Sequence, residues 1–190
     1  MYSATDPRAA LAPAAAPRSD DPIAPFAAFE LLDLDPAEVS TRGSRTWYVR
    51  AQNFVLAYTR AVAGDRLARG AAEQAHEYVV LVPHEGTTVR FDHADLPGAE
   101  LTGRGVAIVP GGASGVTLDT DGDVVRLFDV RSSDLLPRCH NAADYAEPHP
   151  RVAPLQPWPD PLGEPAIRCY PHSAYPLDPA RFGRIFRTRA

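Results

Sequence analysis

EQAHEYVVLVPHEG, residues 73–86, decides how the rest of the chain is read. Tyr78 to Val82 form a short apolar run rich in β-branched and aromatic residues, closed by Pro83 and a turn-forming Glu85-Gly86. Outward from this run the same pattern extends from Ser44 to Val130, with apolar stretches separated by glycine, proline or aspartate every eight to twelve residues. The expected strands are RTWYVR (45–50), NFVLAYTRAV (53–62), EYVVLV (77–82), TTVRF (87–91), AELTGR (99–104), VAIV (106–109), GVTLD (115–119) and DVVRLFDV (123–130). Short strands with turn residues between them point to an all-β sandwich or barrel. Asp121-Gly122, between the last two, has the chemistry of a hairpin turn, since both residues accept positive φ at low cost.

The flanks differ. Residues 1–22 are rich in alanine and proline and are expected to form a disordered arm. Within 23–43, FAAFELLDL (26–34) carries Phe26, Phe29, Leu31, Leu32 and Leu34, enough apolar surface to dock against the domain or a neighbouring subunit. The barrel is expected over 44–135. Eleven of the 20 prolines fall between 137 and 179, so 136–190 can supply neither a central strand nor a long helix and reads as a wrapping arm or linker. RFGRIFRTRA, 181–190, regains strand-like alternation.

Composition removes several chemistries. A length of 190 residues suits one filled core with extensions. The net charge of −5 argues against a nucleic-acid groove or a polybasic membrane surface. All 19 basic residues are arginine, which excludes a Schiff-base lysine and a Walker-type phosphate loop. The first residues lack an uninterrupted apolar run and no stretch approaches transmembrane length, so a cytoplasmic location is expected. Cys139 and Cys169, both placed outside the core, fit two free thiols in a reducing compartment.

Residues 44–130, slightly under half the chain, resemble the cupin superfamily. Its first motif runs glycine, five residues, His-x-His, three or four residues, glutamate, six residues, glycine. Set on Gly64, GDRLARGAAEQAHEYVVLVPHEG keeps that spacing: Gly70 and Ala72 stand for the two histidines, Glu77 matches, and His84 replaces the last glycine. The second motif runs glycine, five residues, Pro-x-Gly, two residues, histidine, three residues, asparagine. Pro110 and Gly112 match it, with Gly115 for the histidine, Asp119 for the asparagine and Arg104 for the first glycine. The resemblance implies a cupin-type double-stranded β-helix, or jelly-roll barrel, that has lost its metal-binding imidazoles. One carboxylate cannot hold a transition metal that wants three or four nitrogen and oxygen donors. No metal or other cofactor is therefore expected. The resemblance further implies the silent half of a two-barrel protein, which would leave an exposed apolar face for a homodimer or a second cupin domain to cover.

Alternation gives Glu77 a place. With Val79 and Leu81 facing the interior, Glu77 faces it too and needs a cationic partner, Arg66 or Arg126. Such a pair is a structural plug or the polar floor of a site for a small carboxylate or sugar. Tyr48 and Tyr58 complete the candidate interior. The leading expectation is a metal-free, non-catalytic domain with a structural or small-ligand-binding role. The alternative is a metal-independent isomerase or epimerase, with Glu77 and Tyr48 or Tyr58 as acid and base. Other constellations have plainer explanations. His76 faces outward by the same parity, and His84 and His93 sit in turn-like contexts; the Cys139, His140, His149, Cys169 and His172 spacings match no zinc hairpin. DTDGD (119–123) lacks the glycine and distal carboxylate of a calcium loop, and PGGASG (110–115) precedes a strand rather than a helix.

Overall fold

The computed structural model describes residues 31–145, 147–149, 152–156 and 163–175. The arm at 1–22, Phe26, Phe29 and the alternating segment at 181–190 lie outside these. Among the described residues the chain forms β1 (Glu38–Val39), β2 (Arg45–Arg50), β3 (Phe54–Ala61), β4 (Arg66–Arg69), β5 (Tyr78–Val82), β6 (Thr88–His93), β7 (Ala99–Thr102), β8 (Gly105–Val109), β9 (Ser114–Leu118), β10 (Gly122–Asp129) and β11 (Arg168–Pro171). They build a seven-stranded sheet, β1-β2-β3-β10-β5-β8-β11, and a four-stranded sheet, β4-β9-β6-β7. Every pairing is antiparallel, and four of them nest: β3 with β10, β4 with β9, β5 with β8, β6 with β7. A long hairpin folded over on itself in this way is a jelly roll. No helix of the described residues is long and apolar enough to cross a membrane.

Side-chain alternation explains the core. Val55 and Ala57 of β3, Val80 and Val82 of β5, Val109 of β8 and Phe128 of β10 meet Leu67, Val89, Phe91, Leu101, Val116 and Leu118 from the smaller sheet. Tyr78 stacks on Phe128 at 5.1 Å between ring centroids. Burying each large apolar side chain contributes about 1.5–3 kcal/mol. The opposite face of the seven-stranded sheet carries Leu56, Val79, Leu81, Val106, Ile108, Val125 and Leu127, all half-buried.

That face corrects the parity of the central strand. Tyr78, Val80 and Val82 point inward, while Val79 and Leu81 point outward, and Glu77 goes with them. From Tyr78 to Val82 every residue is apolar, as suits a strand flanked on both sides within its sheet, so the sequence carries no mark of which face is inside. The Asp121-Gly122 expectation also changes. β9 and β10 belong to different sheets, so the turn passes between sheets instead of closing a hairpin, and neither residue has positive φ. Asp121 instead accepts the Ala63 N–H at 2.8 Å.

The flanking segments close the barrel. Trp47 is fully buried although its partner across the strands, Tyr58, lies on the outer face. Its indole N–H donates to the Leu34 carbonyl at 2.9 Å, and the Arg45 and Arg60 guanidiniums lie 5.2 and 5.8 Å from its ring. The 31–34 segment thus touches the domain through its backbone, while the Leu32 and Leu34 side chains stay exposed. At the other end, Leu135 and Cys139 enter the core, so Cys139 is not outside it. Burial pushes the Cys139 thiol up to about 11. Both cysteines are free.

Between β8 and β9 the turn depends on glycine. Gly112 has φ +129°, and a Cβ there would lie 2.7 Å from the His93 ring. His93 cannot yield easily, because Nε2–H donates to the Gly111 carbonyl at 3.0 Å and Nδ1 accepts the Asp95 N–H at 3.1 Å. Gly112→Ala is expected to destabilise the fold by about 1–3 kcal/mol, read from the urea midpoint.

Candidate functional site

The predicted site residues separate into two groups. Glu77 is on the outside, with a 40% exposed side chain, and pairs with Arg168 at 3.2 Å. Arg66 also lies toward solvent, donating from Nε to Asp92 at 2.9 Å, so neither forms the expected internal pair. Tyr58 sits on the outer face, 6.0 Å from the Trp47 ring. Tyr48 and Arg126 do come together inside the barrel, facing the same cavity.

That cavity, about 210 Å³, opens at the end of the barrel closed by Leu135. β10 places Arg126 on its wall between Val124 and Phe128, at inward positions. The side chain is 4% exposed, with its guanidinium 5.6 Å from the Phe128 ring centroid. Among the described residues Arg126 forms no salt bridge, and its buried Nε has no hydrogen-bond partner. Tyr48, on β2, donates its hydroxyl to Glu38 Oε2 at 2.8 Å. Burial pushes this phenol up to about 12, with the nearby Arg126 charge pulling the other way.

The other guanidiniums on the wall have carboxylate partners. Arg69 donates from Nη1 and Nη2 to Asp134 at 2.7 and 2.9 Å, from Nη2 to the Glu73 carbonyl at 2.7 Å and from Nε to Gln74 at 3.2 Å. The Arg69 hydrogen bonds hold the Asp134 carboxyl below its usual range. Arg138 pairs with Glu38 at 3.0 Å and Arg66 with Asp92. No sequence pattern marks Arg69, Arg138, Glu38 or Asp134, although Leu67 and Arg69, two residues apart in RLAR, share the face that turns inward.

The wall does not suit the metal that an intact motif would bind. Gly70 and Ala72 fall in the turn after β4. Gly115 faces outward, where an added Cβ would strike Arg66 and Asp92. The buried charged side chains on the wall are Arg69 and Arg126, whose guanidiniums repel a cation, and the lining carboxylates Glu38 and Glu73 are both partly exposed and already paired with arginines. No group of three or more His, Cys, Asp or Glu among the described residues is arranged to hold one. A wider groove of about 340 Å³ beside Tyr170 and Tyr175, at the edge strand β11, is shallow and apolar.

No protein-family profile matches the chain, and no curated protein does. Solved structures similar to it include an RmlC-like cupin from Desulfovibrio desulfuricans, at 17% identity over 55% of this chain and 97% of that one, with a TM-score of 0.42. A cupin superfamily protein from Desulfitobacterium hafniense shares 9% identity over 48% and 82%, with a TM-score of 0.38. Salicylate 1,2-dioxygenase from Pseudoaminobacter salicylatoxidans, as its gentisate adduct, shares 16% over 54% and 29%, with a TM-score of 0.42. The nested antiparallel pairing of eight strands makes the described residues an all-β jelly roll.

Proposed function

We propose that the barrel binds a small anionic ligand, a carboxylate or a carboxylate-bearing sugar, on Arg126, without a metal and without catalysing its conversion. The observation that carries this reading is one guanidinium, 4% exposed, on the wall of a cavity and without an ionic partner among the described residues. An uncompensated buried charge costs several kcal/mol, and an anion that supplies charge-assisted hydrogen bonds recovers much of that. The cavity is smaller than the roughly 300–1,000 Å³ of drug-sized sites, which favours a small molecule. Proton transfer has less support, since Tyr48 is a weak acid tied to Glu38 and Glu77 lies outside.

A thermal-shift screen of small carboxylates and uronic acids, followed by calorimetry on the hits, tests the reading. Arg126→Met is expected to weaken binding of every hit by about 10- to 100-fold, the value of a charged hydrogen-bonded contact. The same variant should leave the unliganded protein as stable as the wild type or more so, because a buried unpaired charge has gone. Unchanged binding in Arg126→Met, or no carboxylate raising the melting temperature, would overturn it.

A further inference from the structure

We infer, resting on that reading, that the ligand has a single carboxylate and a hydrogen-bond donor away from it, and that Glu38 is the residue that selects it.

Four arginines border the cavity, Arg66 with its guanidinium turned to the outer face beside Asp92. Asp92 neutralises Arg66, Asp134 neutralises Arg69 and Glu38 neutralises Arg138. Glu73 also lies 3.8 Å from Arg69, so Arg126 alone of the four is without a carboxylate partner among the described residues, and one carboxylate on a ligand supplies it. A second anionic group would meet two carboxylates that share the wall, Glu38 and Glu73. Like charges repel, an effect that solvent weakens here because the Glu38 and Glu73 side chains are 46% and 49% exposed.

Glu38 also has acceptor capacity to spare. The Tyr48 hydroxyl and Arg138 Nη1 both donate to its Oε2, at 2.8 and 3.0 Å. Its Oε1 accepts no hydrogen bond from the described residues, and an ionised carboxylate offers about four lone-pair sites. With the Glu38 side chain about half exposed, water serves this oxygen in the free protein, and a hydroxyl or an ammonium on the ligand takes that water's place. Glu73, whose Oε2 accepts the Gly70 N–H at 2.9 Å and lies 3.8 Å from Arg69, is tied to the turn after β4, whereas Glu38 is bonded to Tyr48, the side chain that shares the cavity with Arg126. The cavity therefore has a cationic pole at Arg126 and an accepting pole at Glu38. A plain fatty acid satisfies the first alone, and a dicarboxylate or a phosphate dianion opposes the second.

Matched sets of three- to five-carbon acids test this by calorimetry: the unsubstituted acid, its ω-hydroxy and ω-amino forms, and the dicarboxylate. At the best chain length, the hydroxy or amino acid is expected to bind at least tenfold tighter than the unsubstituted acid, and the dicarboxylate weaker than it. Which of the two donors leads separates a hydroxy acid from an amino acid. Glu38→Gln should abolish the donor preference and, by freeing the Arg138 charge, make the dicarboxylate the tighter ligand. Equal affinities across a set, or an unchanged ranking in Glu38→Gln, would overturn the inference while leaving the carboxylate site in place. If no acid binds, or if Arg126→Met binds them as well as the wild type, the proposed function fails first.

Discussion

Arg69→Met is expected to lower the unfolding free energy by about 3 kcal/mol, measured by urea denaturation at pH 7. The guanidinium is buried and gives four hydrogen bonds, two of them to Asp134. Methionine keeps the apolar contact but strands the Asp134 carboxylate and the Glu73 carbonyl, and leaves the Gln74 oxygen with the Ser132 hydroxyl alone, at 3.4 Å. Removing one member of a buried pair typically costs about 3–5 kcal/mol. The lower end applies because the Asp134 side chain is 33% exposed and recovers some hydration. Adding Asp134→Asn to Arg69→Met should cost less than the sum of the single changes, since the stranded charge is then gone. The pair also sets a pH dependence. The Asp134 pKa is depressed in the folded state, chiefly by the Arg69 hydrogen bonds, so its stabilisation is present above the unfolded carboxylate value and is lost as pH falls through the folded one. Unfolding midpoints of the wild type should drop in that acid range, and those of Arg69→Met should drop less. Arg66 and Asp92 pair in the same manner, but both are about half exposed and contribute little.

Phe128→Ala is the second large effect, about 3–5 kcal/mol in the same assay. Its ring is 1% exposed, stacks on Tyr78 at 5.1 Å and has the Arg69 guanidinium 5.3 Å from its centroid on the cavity side. Truncation leaves a void bounded by strands of both sheets, which cannot collapse without breaking ladders. Phe128→Leu should cost less than half as much. A loss as small for alanine as for leucine would mean that the barrel end is loosely packed.

The eight expected strands were legible because β-branched alternation and turn residues mark them locally, and each has a counterpart in the structure. β1, β4 and β11 were not, being two to four residues long and defined by their partners. Facing was the harder matter. Spacing matched Glu77 and Gly115 to a motif, yet both lie on the outer surface, because a match by count is blind to which of two faces a strand buries. Arg126 was picked out as a counter-charge for Glu77. It lies inside, as required, but without that partner, since the acid that would have met it faces the other way. Glu38 and Arg138 reach the cavity from segments on either side of the barrel, and Asp134 meets Arg69 behind its wall, so only tertiary packing joins them.

The nesting of the strand pairs has a kinetic consequence. Phe91 and Ala99, partners in β6 and β7, are separated by one short loop, whereas Ala61 and Gly122, partners in β3 and β10, have all of β4 to β9 between them. Loop-closure entropy rises with the length enclosed, so assembly runs from the inner hairpin outward and β10 is stitched in last. Arg126 rides on β10, and an anion of the kind proposed, once held there, would also latch the seam by which the barrel comes undone.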